Sequence, residues 1–248
     1  YSTPISEPTE QRFITRHRLN KKTPHAAMSE AVEPIVYYLD PGIPEPVMTA
    51  LKEGASWWNQ AYEAAGYKDA FQVKVLPEGA DPMDVRYNVI NWVHRATRGW
   101  SYGSSVVDPR TGEIIKGHVT LGSLRVRQDY LIALGLTSPY KDGSTDTTAQ
   151  QKMALDRIRQ LSAHEVGHTL GIAHNFAASE NNRASVMDYP HPKISIKNGK
   201  ISLEGAYDKG IGAWDIHAVA YGYQDFASDV EATEALAKII VKGRHEGL

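Results

Sequence analysis

No cysteine occurs among the 248 residues, so disulfides and thiolate ligands are excluded and any metal must be held by His, Asp or Glu. No apolar stretch approaches the roughly 20 residues needed to cross a bilayer, so no transmembrane segment is expected. A long basic run is also missing. With 27 Lys and Arg against 29 Asp and Glu, the formal net charge is -2, and nucleic acid is not an expected partner. There is no Asn-x-Ser/Thr sequon, which is compatible with a bacterial origin. The opening Tyr1-Ser2-Thr3-Pro4 has neither an initiator Met nor a charged-then-apolar leader, and reads as a point inside a longer polypeptide. Core material is plentiful: 42% of residues are hydrophobic, enough for one large domain or two lobes around a shared cleft.

Residues 1–30 are polar, with Pro4, Pro8 and Pro24 and a basic stretch from Arg12 to Lys22, and read as a linker or N-terminal extension. Ile35 to Leu39 is a short apolar run closed by Asp40-Pro41-Gly42, the pattern of a strand and turn. Val47, Leu51, Ala55, Trp58 and Tyr62 recur at spacings of three and four, predicting one helix from about Pro44 to Ala65 with Gly66 as its stop. Phe71–Leu76 and Val85–Val93 read as strands. Ser101–Val107 and Glu113–Leu121 flank the turn-forming Asp108-Pro109-Arg110-Thr111-Gly112 and predict a hairpin. After a polar loop, Thr147-Thr148-Ala149-Gln150 predicts a capping box that opens a long helix bearing Leu155, Ile158, Leu161 and Leu170. Asp142 and Asp146 in that loop lack the alternating ligand spacing of a calcium loop and read as loop and cap residues. Shorter helices are expected over Ala213–Tyr221 and about Asp229–Val241.

The long helix ends in His164-Glu165-Val166-Gly167-His168. Two imidazoles four residues apart lie one turn above each other on the same helix face, so both reach one metal. Glu165 projects from the neighbouring position, where its carboxylate reaches a metal-bound water rather than the metal. Gly171 can take positive φ and turn the chain out of the helix, which lets His174 return as a third ligand. Three histidines around zinc leave one position open for water or a substrate carbonyl, which separates a catalytic from a closed structural site. Asp215 offers an acidic third ligand of another kind, but with His174 in place none is needed.

The run from His164 to His174 matches the metzincin signature, and Ser185-Val186-Met187-Asp188-Tyr189 resembles the Met-turn that follows it. Glu33-Pro34-Ile35-Val36-Tyr37-Tyr38, Gly54-Ala55-Ser56-Trp57-Trp58-Asn59-Gln60-Ala61 and Asp84-Val85-Arg86-Tyr87-Asn88 are similar to the bacterial Met-zincin domain of large zinc-dependent proteases. The resemblance runs from about residue 12 onward. It implies an α+β, metzincin-like (zincin) catalytic domain over residues 31–248. A twisted mixed β-sheet and two long helices would form an N-terminal lobe of about 31–171, and a smaller irregular, helical C-terminal lobe would span about 172–248.

The resemblance further implies one catalytic Zn2+ on His164, His168 and His174, with Glu165 as general base and acid. Met187 would lie beneath the ligands as an apolar floor. Tyr189 would place its hydroxyl near the metal, or else pack the turn beside Pro190. Gly117–Leu121 would be the edge strand on which a protein or peptide substrate is laid. By residue type and position alone, His118 reads as a rim or sheet-face residue, and Asn175 as a support of the site or, in preference, a cap of the turn. Partner domains N-terminal to this one, in the same polypeptide, and a secreted, periplasmic or envelope location come with the family. The expected activity is that of a zinc-dependent endopeptidase. A catalytically inactive polypeptide-binding module and a hydrolase of non-peptide amides are the competing expectations.

Overall fold

The structure is a computed structural model that describes residues 4–10, 12–96, 99–226 and 228–248. Its centre is a five-stranded sheet of β2 (Ile35–Leu39), β4 (Phe71–Val75), β5 (Asn88–Val93), β6 (Tyr102–Val107) and β7 (Ile114–Gly122), in the order β4-β2-β5-β7-β6. The first four strands in that order are parallel, and β6 joins β7 antiparallel. β6 is therefore one edge of the sheet and β4 the other. The expected edge segment, Gly117–Leu121, is instead an interior strand paired on both sides, because the hairpin folds its first arm to the outside. A minor parallel pair joins β1 (Ser29–Glu30) to β3 (Tyr67–Lys68).

The predicted helix over 44–65 is two segments, α1 (Val47–Ser56) and α2 (Trp58–Ala64). Pro44 and Pro46 hold back its start, because a proline ring disfavours helical backbone in the residue before it. At the break the Ser56 hydroxyl donates back to the Lys52 carbonyl at 2.7 Å, while Trp57 and Gln60 make tight three-residue bonds. α1 packs on the long helix α4 (Thr148–Thr169) closely enough that a Cβ on Gly54 would lie 2.0 Å from the Arg159 carbonyl oxygen. Two buried bonds tie α1 and α2 to α4: Ser162 Oγ donates to the Leu51 carbonyl and the Trp58 indole to that of Ala163, each at 2.8 Å. Trp58, Tyr62, Leu51, Leu39 and Ile90 are fully enclosed between these helices and the sheet. Each such side chain contributes roughly 1.5–3 kcal/mol by leaving water.

Between β7 and α4 lies α3 (Leu124–Thr137), which the sequence pattern did not announce. Its apolar residues are spread around the helix, and only Asp129 and Ala133 are buried. The expected capping box at the start of α4 does not form. Asp146 takes the capping role instead, accepting from the Thr148 N–H at 3.0 Å and hydroxyl at 2.7 Å. The side chain of Asp142 lies outside the described residues.

After α4 come the hairpin β8 (Ser195–Lys197) and β9 (Lys200–Ser202), then α5 (Ala213–Tyr223) and α6 (Asp229–Glu246). Arg12 to Lys22 runs across the body of the protein. Arg16 bridges Glu113 and donates to the Gly222 carbonyl, and His17 and Leu19 are buried. Among the described residues, no helix is long and apolar enough to cross a membrane.

Candidate metal centre and peptidase site

The last turns of α4 carry His164, Glu165 and His168, and their position is set by what closes the helix end. A helix terminus leaves its last carbonyls without partners. Here Ser105 Oγ donates to the Thr169 carbonyl and Tyr223 Oη to that of Leu170 at 2.8 Å, while Tyr37 Oη donates to Thr169 Oγ1. Gly171 follows with φ +91°, and a Cβ there would sit 1.9 Å from the Thr15 carbonyl oxygen. The turn thus needs a glycine for both its dihedral and the N-terminal segment packed on it.

Beyond that turn, His174 comes back over α4. The candidate ligand nitrogens of His164, His168 and His174 all lie within 4.8 Å of one another. His164 Nδ1–H donates to the Val186 carbonyl at 2.7 Å and His168 Nδ1–H to the Ile172 carbonyl at 2.9 Å. Those bonds fix the tautomer, so each Nε2 presents a lone pair to the cluster. The Nε2 atoms of His168 and His174 are 3.1 Å apart, and the buried Nε2 of His164 has no hydrogen-bond partner. Lone pairs converging in this way fit one cation, and a set of neutral imidazoles suits zinc. Burial lowers the basicity of His164 to about 3 and pulls His168 down as well, which keeps both rings in the ligating form.

Glu165 is buried, and burial pushes its carboxyl up to about 7, opposed first by the Arg157 charge and then by the Gly103 N–H. Gly103 lies on the edge strand β6, and a Cβ there would be 2.1 Å from the Glu165 carbonyl oxygen. A residue with no side chain is what lets the edge come this close to the helix. Sequence reasoning passed over Gly103, since nothing in its neighbours marks a near contact.

Under the cluster, Met187 is completely buried, and its sulfur occupies the space where a Cβ on Gly167 would stand, 2.3 Å away. The segment 185–189 is held from beneath by Asp215 of α5. Its carboxylate accepts from Ser185 Oγ at 2.6 Å, the Val186 N–H at 2.9 Å and the Gly212 N–H at 2.6 Å. Asp215 is thus a bracket for the turn, remote from the role of ligand. Asn175 uses its backbone, donating to the Met187 carbonyl at 3.0 Å.

Tyr189 covers the cluster from outside. Its ring lies 4.9 Å from that of His164 and 4.7 Å from that of His174, and Phe176 stacks alongside at 5.1 Å from His174. Half of Tyr189 is exposed, and its hydroxyl is pushed up by burial and by the neighbouring Glu165 charge. His118 stays on the sheet face, 3.4 Å from Asn91 Nδ2 and apart from the three clustered histidines.

Residues 146–247, which contain α4, the three histidines and the turn around Met187, match the model of a family described as Met-zincin. The metzincin resemblance read from the sequence therefore holds over the segment that carries the site. Among solved structures, archaemetzincin from Methanopyrus kandleri is similar at 13% identity over 84% of this chain and 96% of that one, with a TM-score of 0.32. No curated protein matches.

Proposed function

We propose that this chain is the catalytic domain of a zinc-dependent endopeptidase. The observation that carries the proposal is the set of converging Nε2 lone pairs, one of them buried and partnerless, beside a buried carboxyl at Glu165. His164, His168 and His174 would hold the ion. When bound, zinc supplies the Lewis acidity that activates water and polarises a carbonyl.

The protein's own residues supply the rest. Glu165 takes the proton of the attacking water on a carboxylate oxygen and delivers it to the departing amide nitrogen, a role suited to a carboxyl raised towards neutrality. Tyr189, stacked on two of the ligands, donates its hydroxyl hydrogen towards the carbonyl oxygen as that atom gains charge. The unpaired side of β6 accepts an extended polypeptide as a further antiparallel strand, with Tyr102 and Val106 exposed along it. From the family's expected location alone, we propose that this protease acts outside the cytoplasm.

The test is to incubate the full-length protein with a denatured protein mixture, with and without a chelator, beside Glu165→Ala. Cleavage that the chelator stops and the variant lacks is the expected result. If zinc is bound and the parent cuts nothing that the variant spares, the peptidase reading fails and a polypeptide-binding module takes its place.

A further inference from the structure

Two turns before His164 on the same face of α4 stands Arg157, a half-buried cation for which no carboxylate lies within ion-pair distance among the described residues. Its Nη1 donates to Gln160 Oε1, and Gln160 Nε2 donates to the Val186 carbonyl at 3.1 Å. That carbonyl is also the acceptor for His164 Nδ1. The guanidinium lies 5.8 Å from the centre of the Tyr207 ring, so it is held between α4 and the segment that follows Tyr189. Among the described residues, no protein acceptor is seen for its remaining N–H groups.

A second arginine stands nearby. Arg125 of α3 pairs with the buried Asp129 at 2.8 Å, but its Nε and Asp129 Oδ2 are both buried without partners. Arg157 also acts on Asp129 through its charge without pairing with it, so two guanidiniums face one carboxylate. An unneutralised cation costs solvation when it is half-buried, and a planar guanidinium with free N–H groups matches a carboxylate in a two-pronged pair.

Building on the peptidase reading, we propose that Arg157, backed by Arg125, forms a carboxylate-binding subsite beside the metal centre and selects substrates bearing a negative group next to the scissile bond. The carboxylate comes either from an Asp or Glu side chain or from the free C-terminus of a short product-side fragment. Tyr207 and Gln160 hold the guanidinium in orientation. Arg157 is thus a specificity residue, distinct from one that merely supports Glu165, because a support would act on every substrate alike.

The test uses the zinc-loaded full-length protein and matched quenched peptides carrying Glu, Gln or Lys on either side of the cleaved bond, each with a free or an amidated C-terminus. The expected result is a kcat/KM for Glu over Gln, or for free over amidated ends, greater by roughly ten- to a hundredfold. Which of the two contrasts appears identifies the source of the carboxylate. Arg157→Gln should collapse that ratio and Arg157→Lys should restore part of it. Binding of the same peptides to Glu165→Ala, measured by calorimetry, should show the same order without turnover. Equal binding and cleavage of all peptides by the parent overturns the subsite while leaving the peptidase reading intact. Charge-selective binding with no cleavage supports the subsite and rejects the peptidase reading. If Arg157→Gln slows all peptides equally while the parent's ratio persists, Arg157 is a positioning residue for Glu165 and the subsite is rejected.

Discussion

His164 and His168 on one side and His174 and Tyr189 on the other meet at the same point, yet they are held there in different ways. The helical pair has each ring tied through Nδ1 to a backbone carbonyl, on a helix locked to α1 and closed by side-chain caps. The loop pair is held through ring stacking and through backbone bonds of the turn beneath it, and both residues are exposed. Two of the candidate ligands are thus set by folding alone. The third candidate and the tyrosine are placed by Gly171, Asp215 and each other, so the proposed metal binding should order that side further.

Substitutions at four positions sharpen the contrast. The largest effect belongs to the helical side: Glu165→Gln should lower kcat by roughly 10²–10⁴-fold with zinc content unchanged, checked by steady-state kinetics beside metal analysis. Next is the hinge between the two sides. Gly171→Ala forces a side chain into a positive-φ position 1.9 Å from the Thr15 carbonyl oxygen, and should cost roughly 2–4 kcal/mol in urea unfolding. Asp215→Ala leaves three donors beneath the Met187 turn without their acceptor. A loss of about 1–3 kcal/mol is expected, together with weaker zinc binding, whereas Asp215→Asn should restore most of the stability. Tyr189→Phe should have the smallest effect: about tenfold in kcat, with stability and zinc content held, because stacking on His164 and His174 survives loss of the hydroxyl.

Asp215 adds a pH signature to the same bracket. Burial pushes its carboxyl up to about 6, against the pull of its three donors. With the native state binding more protons than the unfolded chain between the ordinary aspartate range and about pH 6, stability contributed here falls as pH rises through that window. The size is up to about 3 kcal/mol, and Asp215→Asn should flatten that part of the stability profile.

The same contrast divides what was legible in the sequence. The helical side was readable because its geometry is local: i and i+4 on a helix fix two histidines, and a glycine three residues later allows the return of His174. β2, the hairpin of β6 and β7, and α5 were legible for similar reasons, through short-range periodicity and turn residues. What depended on distant partners was not. Gly103 matters because of where β6 meets α4, and which arm of the hairpin forms the edge depends on sheet order. Asp215 looked like a spare ligand until the Met187 turn was seen resting on it. α3 was missed because its apolar residues follow no single face. The β8–β9 hairpin, by contrast, did carry a local signal: Asn198-Gly199, both with positive φ, is the dipeptide a tight hairpin turn prefers.

The most direct test of the account is to measure zinc stoichiometry and peptide hydrolysis on the same preparations of the full-length protein, Glu165→Gln and His168→Ala. One zinc per chain in the first two, little in the third, and hydrolysis in the parent alone is the predicted result. Undiminished zinc in His168→Ala would contradict the ligand assignment, and equal hydrolysis by the parent and Glu165→Gln would contradict the chemistry assigned to this site.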